Sequence, residues 1–287
     1  MSQTNQKASA PCTTQTGLHC EMYGDGDPVL CLQGLGASTH SWLQLIEPLS
    51  KQFKVILIDF RGFGASPKPD DKHYSILDHA DLIYQFILEK DLRNLTLMGN
   101  SFGGAVSLLL AIRLCEHDRG RLSRLILVDS GGYNLHLPFH LKLLRTPVLG
   151  WLAIHLLPPT ISALTVLWDC YYDTRKITRG QIHAYAQPIA AVGGRHAMLE
   201  TAKQIIPRNS DEIIAKYKTI SVPTLVVWGR QDRVIPIVIG EMLDEAIPHS
   251  RLVSIDRSGH VPQEETPEKI VPLILDFLLE PRTPRQD

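Results

Sequence analysis

Ser101 lies in Gly99-Asn100-Ser101-Phe102-Gly103-Gly104, directly after the apolar run Leu95-Thr96-Leu97-Met98. An apolar run that meets a helix-forming stretch at one serine predicts a very tight strand-to-helix turn. Such a turn tolerates only small residues two before and two after its centre, here Gly99 and Gly103. The serine hydroxyl then projects above the strand end, and the helix N-terminus favours negative charge developing beside it. An N-cap serine on a buried helix is the plainer reading. The strand-turn-helix context favours a nucleophile.

A serine hydroxyl needs a positioned base. Of twelve histidines, His260 in Asp256-Arg257-Ser258-Gly259-His260-Val261 follows the last apolar run. Its loop therefore rises on the same sheet edge as Ser101. His136 and His140 have helix spacing but read as packing or solvent-facing residues. A carboxylate must hold the imidazole tautomer. Asp232, after Val226-Val227-Trp228-Gly229, ends a strand on that edge and is preferred over Asp129 in Val128-Asp129-Ser130-Gly131. An acyl-transfer site also needs oxyanion donors, and backbone N–H groups of fixed direction suit the task. Phe102 at the helix start and Leu35 in Gln33-Gly34-Leu35-Gly36 are the two expected. The loop fails as a nucleotide fingerprint, because Thr39 occupies the third glycine position.

The elements that must position these groups alternate between strand-like and helix-like runs, the pattern of a mostly parallel sheet covered by helices. Strands are expected at 28–34, 53–60, 94–99, 124–129, 223–229 and 251–256. Helices are expected at 41–50, 75–90, 102–115, 236–247 and 267–279. Between 133 and 220 the rhythm stops, and helical, aromatic-rich sequence without a strand pattern predicts an inserted helical cap. Residues 18–132 and 221–287 then form one core, and 1–17 a flexible polar lead-in. The cap offers Leu137, Phe139, Leu143, Leu144, Trp151 and Leu152 to line an apolar pocket, with Val261 beside the histidine.

Composition sets the bounds. The 287 residues are 44% hydrophobic and 21% charged with a net charge of −1, which gives no electrostatic footprint for nucleic acid. Five scattered cysteines without CxxC spacing argue against a disulfide framework or zinc site, and no metal is expected. With no secretory signal visible, cytosol is the expected location. The stretch 146–168 has no formal charge, and its length would span a bilayer. Pro158-Pro159 divides it into two short apolar helices, able to cover a greasy site or touch lipid.

Gln33-Gly34-Leu35-Gly36, Asp59-Phe60-Arg61-Gly62-Phe63-Gly64, Gly99-Asn100-Ser101-Phe102-Gly103, Trp228-Gly229-Arg230-Gln231-Asp232 and Ser258-Gly259-His260 occur in an order that resembles the α/β-hydrolase superfamily over about residues 18–280. The resemblance implies an α/β-hydrolase fold, a Ser101–Asp232–His260 triad, an oxyanion hole from Leu35 and Phe102, and no cofactor. Gln33 stands where members usually carry histidine, and it is expected to supply a hydrogen bond behind the oxyanion loop. The Asn100-containing elbow is similar both to bacterial lipases and esterases and to meta-cleavage-product hydrolases. Val261, where the latter commonly have tryptophan, favours hydrolysis of carboxylic esters with an apolar acyl or aromatic part through an acyl-enzyme. Two alternatives stay open: carbon–carbon hydrolysis, for which Arg195 would hold the substrate carboxylate, and a non-catalytic ligand-binding role.

Overall fold

The computed structural model describes residues 14–133 and 137–281. Most of the expected lead-in, together with Cys12 and His136, lies outside them. Seven strands form one sheet in the order β1-β3-β2-β4-β5-β6-β7. Their ranges are β1 Cys20–Tyr23, β2 Pro28–Leu32, β3 Lys54–Ile58, β4 Leu95–Asn100, β5 Leu122–Val128, β6 Thr224–Gly229 and β7 Ser250–Ile255. All neighbours pair in parallel except β1, which runs antiparallel to β3. β1 is the strand that the sequence reading missed. Its Cys20-Glu21-Met22-Tyr23 is short and half-polar, as suits an edge.

The inner strands are apolar on both faces because helices cover both. On one side α2 (Ile76–Glu89), α3 (Phe102–His117) and α10 (Val238–Ala246) bring Ile83, Phe86, Val106, Leu110 and Leu243 against Leu30, Leu97 and Leu127. On the other, α1 (Leu43–Leu49) and α12 (Pro267–Leu279) pack Leu45, Leu49, Ile270 and Phe277 onto Val55, Met98 and Val227. Each such fully buried side chain contributes about 1.5–3 kcal/mol. Ser75 and Asp78 begin α2 with a reciprocal capping box.

Six helices follow β5 before the chain returns to β6: α4 Phe139–Arg145, α5 Pro147–Leu156, α6 Pro159–Cys170, α7 Arg179–Ala190, α8 Gly194–Lys203 and α9 Ser210–Ala215. Ala163, Leu167, Tyr171 and Tyr185 of this insertion pack on Ala37, Val234 and Val261 in loops beyond the sheet's carboxyl edge. Among the described residues no single helix is long and apolar enough to cross a membrane, and α5 and α6 turn through 110° at their junction. Cys20 is disulfide-bonded, which the scattered cysteines did not predict. Cys31, Cys115 and Cys170 are free and buried.

Candidate active site

Ser101 occupies the junction of β4 and α3 with φ 55° and ψ −115°, a conformation costly for a residue with a side chain. Its surroundings hold it there. The Ser101 N–H donates to Val128 O (3.1 Å), and its carbonyl accepts from Ala105 and Gly131 N–H (3.1 and 2.9 Å). A Cβ on Gly99 would strike the Gly103 carbonyl, and one on Gly103 would strike that of Leu32. The glycine spacing is thus a steric requirement of the turn.

His260 follows β7 in a loop fixed from three directions. Its N–H donates to Cys170 O at the end of α6 (2.7 Å). Its carbonyl accepts from Asn100 Nδ2 (3.0 Å), which also donates to Val128 O (3.1 Å). Asn100 therefore ties the serine turn to the histidine loop, a role its position in the motif did not disclose. On the ring, Nδ1 lies 2.7 Å from Asp232 Oδ2. With the proton on Nδ1, Nε2 keeps its lone pair. Asp232 is aimed by two backbone donors, Val234 N–H and Ile235 N–H, to Oδ1 at 2.7 and 3.0 Å.

The rival carboxylate is also present. Asp129 ends β5 with φ 43°, is fully buried, and accepts Gly229 N–H on Oδ1 (2.8 Å). One donor atom each of Asp129, Asp232 and His260 lie within 4.8 Å of one another. Burial, with the charge of Asp232 added, raises the Asp129 carboxyl well above the usual range and favours its neutral form. Although these residue types could hold a cation, Asp232 already engages two N–H groups and the imidazole.

The loop after β2 approaches the serine closely. A Cβ on Gly34 would lie 3.5 Å from that of Ser101, and Gly36 has φ +75°. Leu35 and Phe102 line a cavity of about 140 Å³ together with Ser101. Phe102 is the first residue of α3, so its N–H has no partner within the helix. Behind the loop, Gln33 is wholly buried; with its amide oriented to match its neighbours, it donates to Ile58 O (2.6 Å) and accepts from Phe60 N–H (3.1 Å). That bridge runs from the end of β2 to the end of β3.

A second cavity, of about 430 Å³, holds Ser101 and His260 together with Phe139, Leu143, Leu144 and Val261. Leu137 lines the smaller one. Trp151 and Leu152 line neither and face outward from α5, contrary to expectation. α5 is apolar all round, so its sequence carries no stripe to show which face is inward. Arg195 also lies off both cavities, with Nε donating to Ile154 O (3.0 Å). His140 does reach the larger cavity, 3.7 Å from Asp169, and its burial lowers its basicity.

Two residues that the sequence reading passed over stabilise the histidine loop. Glu265 is buried and accepts from Gly259 N–H (2.7 Å), Tyr172 N–H (3.1 Å) and Asp173 N–H (2.7 Å). Glu264 accepts from the hydroxyls of Tyr185 and Tyr171 at 2.6 and 3.3 Å. The signal was present in Pro262-Gln263-Glu264-Glu265-Thr266, two acids in a stretch otherwise bound for the core.

The whole-chain comparisons agree with this architecture. The chain is 28% identical over 276 residues to 2-hydroxymuconate semialdehyde hydrolase from a Pseudomonas species, covering 93% of this chain and 91% of that one. It is 28% identical over 252 residues to Lipase 3 of a Moraxella species, covering 84% and 73%. A meta-cleavage product hydrolase from Pseudomonas fluorescens superposes with a TM-score of 0.76 at 23% identity, covering 92% and 95%. The family model for the alpha/beta hydrolase fold matches residues 27–153 and 166–267, on both sides of a gap within the insertion, and the chain belongs to that family.

Proposed function

We propose that the protein is a serine hydrolase of apolar carboxylic esters, working through an acyl-enzyme. Family membership and relatives named as hydrolases support the reaction class. In this reading Ser101 attacks the carbonyl, His260 takes its proton at Nε2, and Asp232 holds the imidazolium through Nδ1. The N–H groups of Leu35 and Phe102 receive the oxyanion. His260 then protonates the leaving oxygen and activates water for deacylation.

The observation that carries the choice of ester is the lining of the two cavities. Among the described residues neither contains Lys or Arg, and the larger one contains Asp169. An anionic ring-fission product would meet Asp169 there and no lysine or arginine to pair its carboxylate. An uncharged ester meets no such cost. Because the base must reach the leaving oxygen, the alcohol portion belongs on the His260 side, in the larger cavity. The acyl portion then occupies the smaller cavity beside Phe102. Turnover of a p-nitrophenyl ester panel beside a ring-fission dienoate tests this reading; preference for the dienoate would overturn it. Slow single turnover with retained product would instead favour a binding role.

A further inference from the structure

The outer face of α5 and α6 is largely apolar, broken by exposed His155, Thr160 and Thr165 and ended by Asp169. Val148, Leu149, Trp151, Leu156, Ile161 and Trp168 are all exposed, Leu156 to 73%. A monomer surface seldom leaves so many large apolar side chains together in water. From Thr146 to Trp168 the sequence contains no Asp, Glu, Lys or Arg. We infer that this face rests on a phospholipid bilayer and that the larger cavity receives its ligand from that contact.

Three observations select lipid as the occupant. First, the 110° turn between the two helices prevents them from crossing as one rod, which suits helices lying in the plane of an interface. Second, the boundary of the face has the expected chemistry. Exposed Lys142 stands in the last turn of α4, just before the uncharged stretch. Long basic side chains at such an edge keep their stems with the apolar surface and their heads at anionic phosphates. Trp151 and Trp168, both exposed, are the aromatic type that settles at headgroup depth. Third, the face is continuous with the cavity. Phe139, 80% exposed, and Leu157, 44% exposed, also line the chamber that contains Ser101 and His260. An apolar molecule dissolved in the bilayer would thus move along apolar surface into the site. The terminal segments 1–13 and 282–287 are predominantly polar, so their chemistry does not match this face.

Only the role assigned to the cavity rests on the ester-hydrolase reading; the contact itself is measured without turnover. The full chain is sedimented with sucrose-loaded vesicles of phosphatidylcholine alone and of phosphatidylcholine with a quarter phosphatidylglycerol. The chain is expected to sediment with both and more tightly with the anionic one, with the tryptophan emission shifting to the blue. Leu149→Glu with Leu156→Glu should weaken vesicle binding by about tenfold or more. The same double variant should hydrolyse water-soluble p-nitrophenyl acetate within about twofold of the unaltered chain, which also shows that it folds. No sedimentation with either vesicle would overturn the inference, as would binding indifferent to the two glutamates. So would a dimer that the double variant splits while vesicle binding stays absent, because a second copy would then cover the face. Failure of the ester reading would appear separately, as ester turnover unaffected by Ser101→Ala.

Discussion

Asp129 and Asp232 bring carboxylate oxygens within 4.8 Å of each other beneath His260, yet their partners differ. Asp232 accepts two N–H groups on one oxygen and meets the imidazole with the other. Asp129 accepts one N–H, and its Oδ2 is buried without a partner while both acids are ionised. A proton on Asp129 would turn that oxygen into a donor toward Asp232. The pair is then one base-side carboxylate supported by one neutral acid. Asp232→Asn should lower kcat/KM by about 10⁴, the scale for loss of the tautomer-fixing acid in a triad. Asp129→Asn replaces a neutral acid by a neutral amide of the same shape and should cost less than about tenfold. The reverse order in steady-state assays would make Asp129 the triad acid.

Ser101→Ala should reduce turnover by about 10⁶. A fluorophosphonate should add one adduct to the unaltered chain, found at Ser101 by peptide mass spectrometry. An adduct on any other residue would remove the assigned nucleophile.

Two glycines, one in the elbow and one in α7, give a stability test with opposite signs. Gly103→Ala places a methyl group against the Leu32 carbonyl, which is backbone and cannot yield. It should destabilise by about 3 kcal/mol, at the upper end of the usual overpacking range. Gly180, in the first turn of α7, has only Thr178 Oγ1 nearby, at 3.7 Å from an added Cβ. Gly180→Ala should therefore stabilise by about 0.5–1 kcal/mol. Urea titration of both variants reads the difference directly.

His79 is buried among Phe60, Phe63, Tyr74 and Phe102, with neither ring nitrogen partnered. Burial lowers its pKa to about 3 from 6.5, while Asp78 and Arg61 act in opposite directions. Below pH 6.5 the unfolded chain binds a proton there that the folded chain refuses. Stability from this site is complete above pH 6.5 and falls by about 1.4 kcal/mol per pH unit between 6.5 and 3. Buried acids such as Asp129 and Glu264 have raised pKa values and act in the opposite sense, so the site is isolated by difference. His79→Leu should flatten the acid limb of stability against pH by that slope relative to the unaltered chain.

The two chambers can be narrowed separately. Ile213→Trp fills the smaller one and should depress kcat/KM for long acyl chains more than for acetyl esters. Leu144→Trp fills the larger one and should act on bulky alcohols while sparing methyl esters. Exchange of the two effects would reverse the assignment of acyl and alcohol sides.

The parts of the site legible in the sequence are those enforced by local geometry. Gly99 and Gly103 follow from one turn, and Asp232 and His260 follow from where strands end. The helices of the core were legible through their apolar spacing, as with Ile76, Ala80, Ile83 and Ile87 on α2. β1 escaped because Cys20–Tyr23 is only four residues long, with Glu21 inside it. Trp151 and Leu152 were misplaced because a helix apolar on every side cannot announce its buried face. The approach of Asp129 to Asp232, and the partners of Glu265, depend on contacts between distant segments. A one-dimensional pattern does not encode them.

Glu265 joins backbone from the histidine loop and from the end of α6 in a single carboxylate, and the Cys170 carbonyl adds a second tie to His260. The insertion is thus pinned at residues 170–173. That pin lies directly against His260. Exchanging the insertion with that of a relative must therefore move the α6 end and the 258–265 loop together as one cassette, because a graft cut between them would set the histidine adrift.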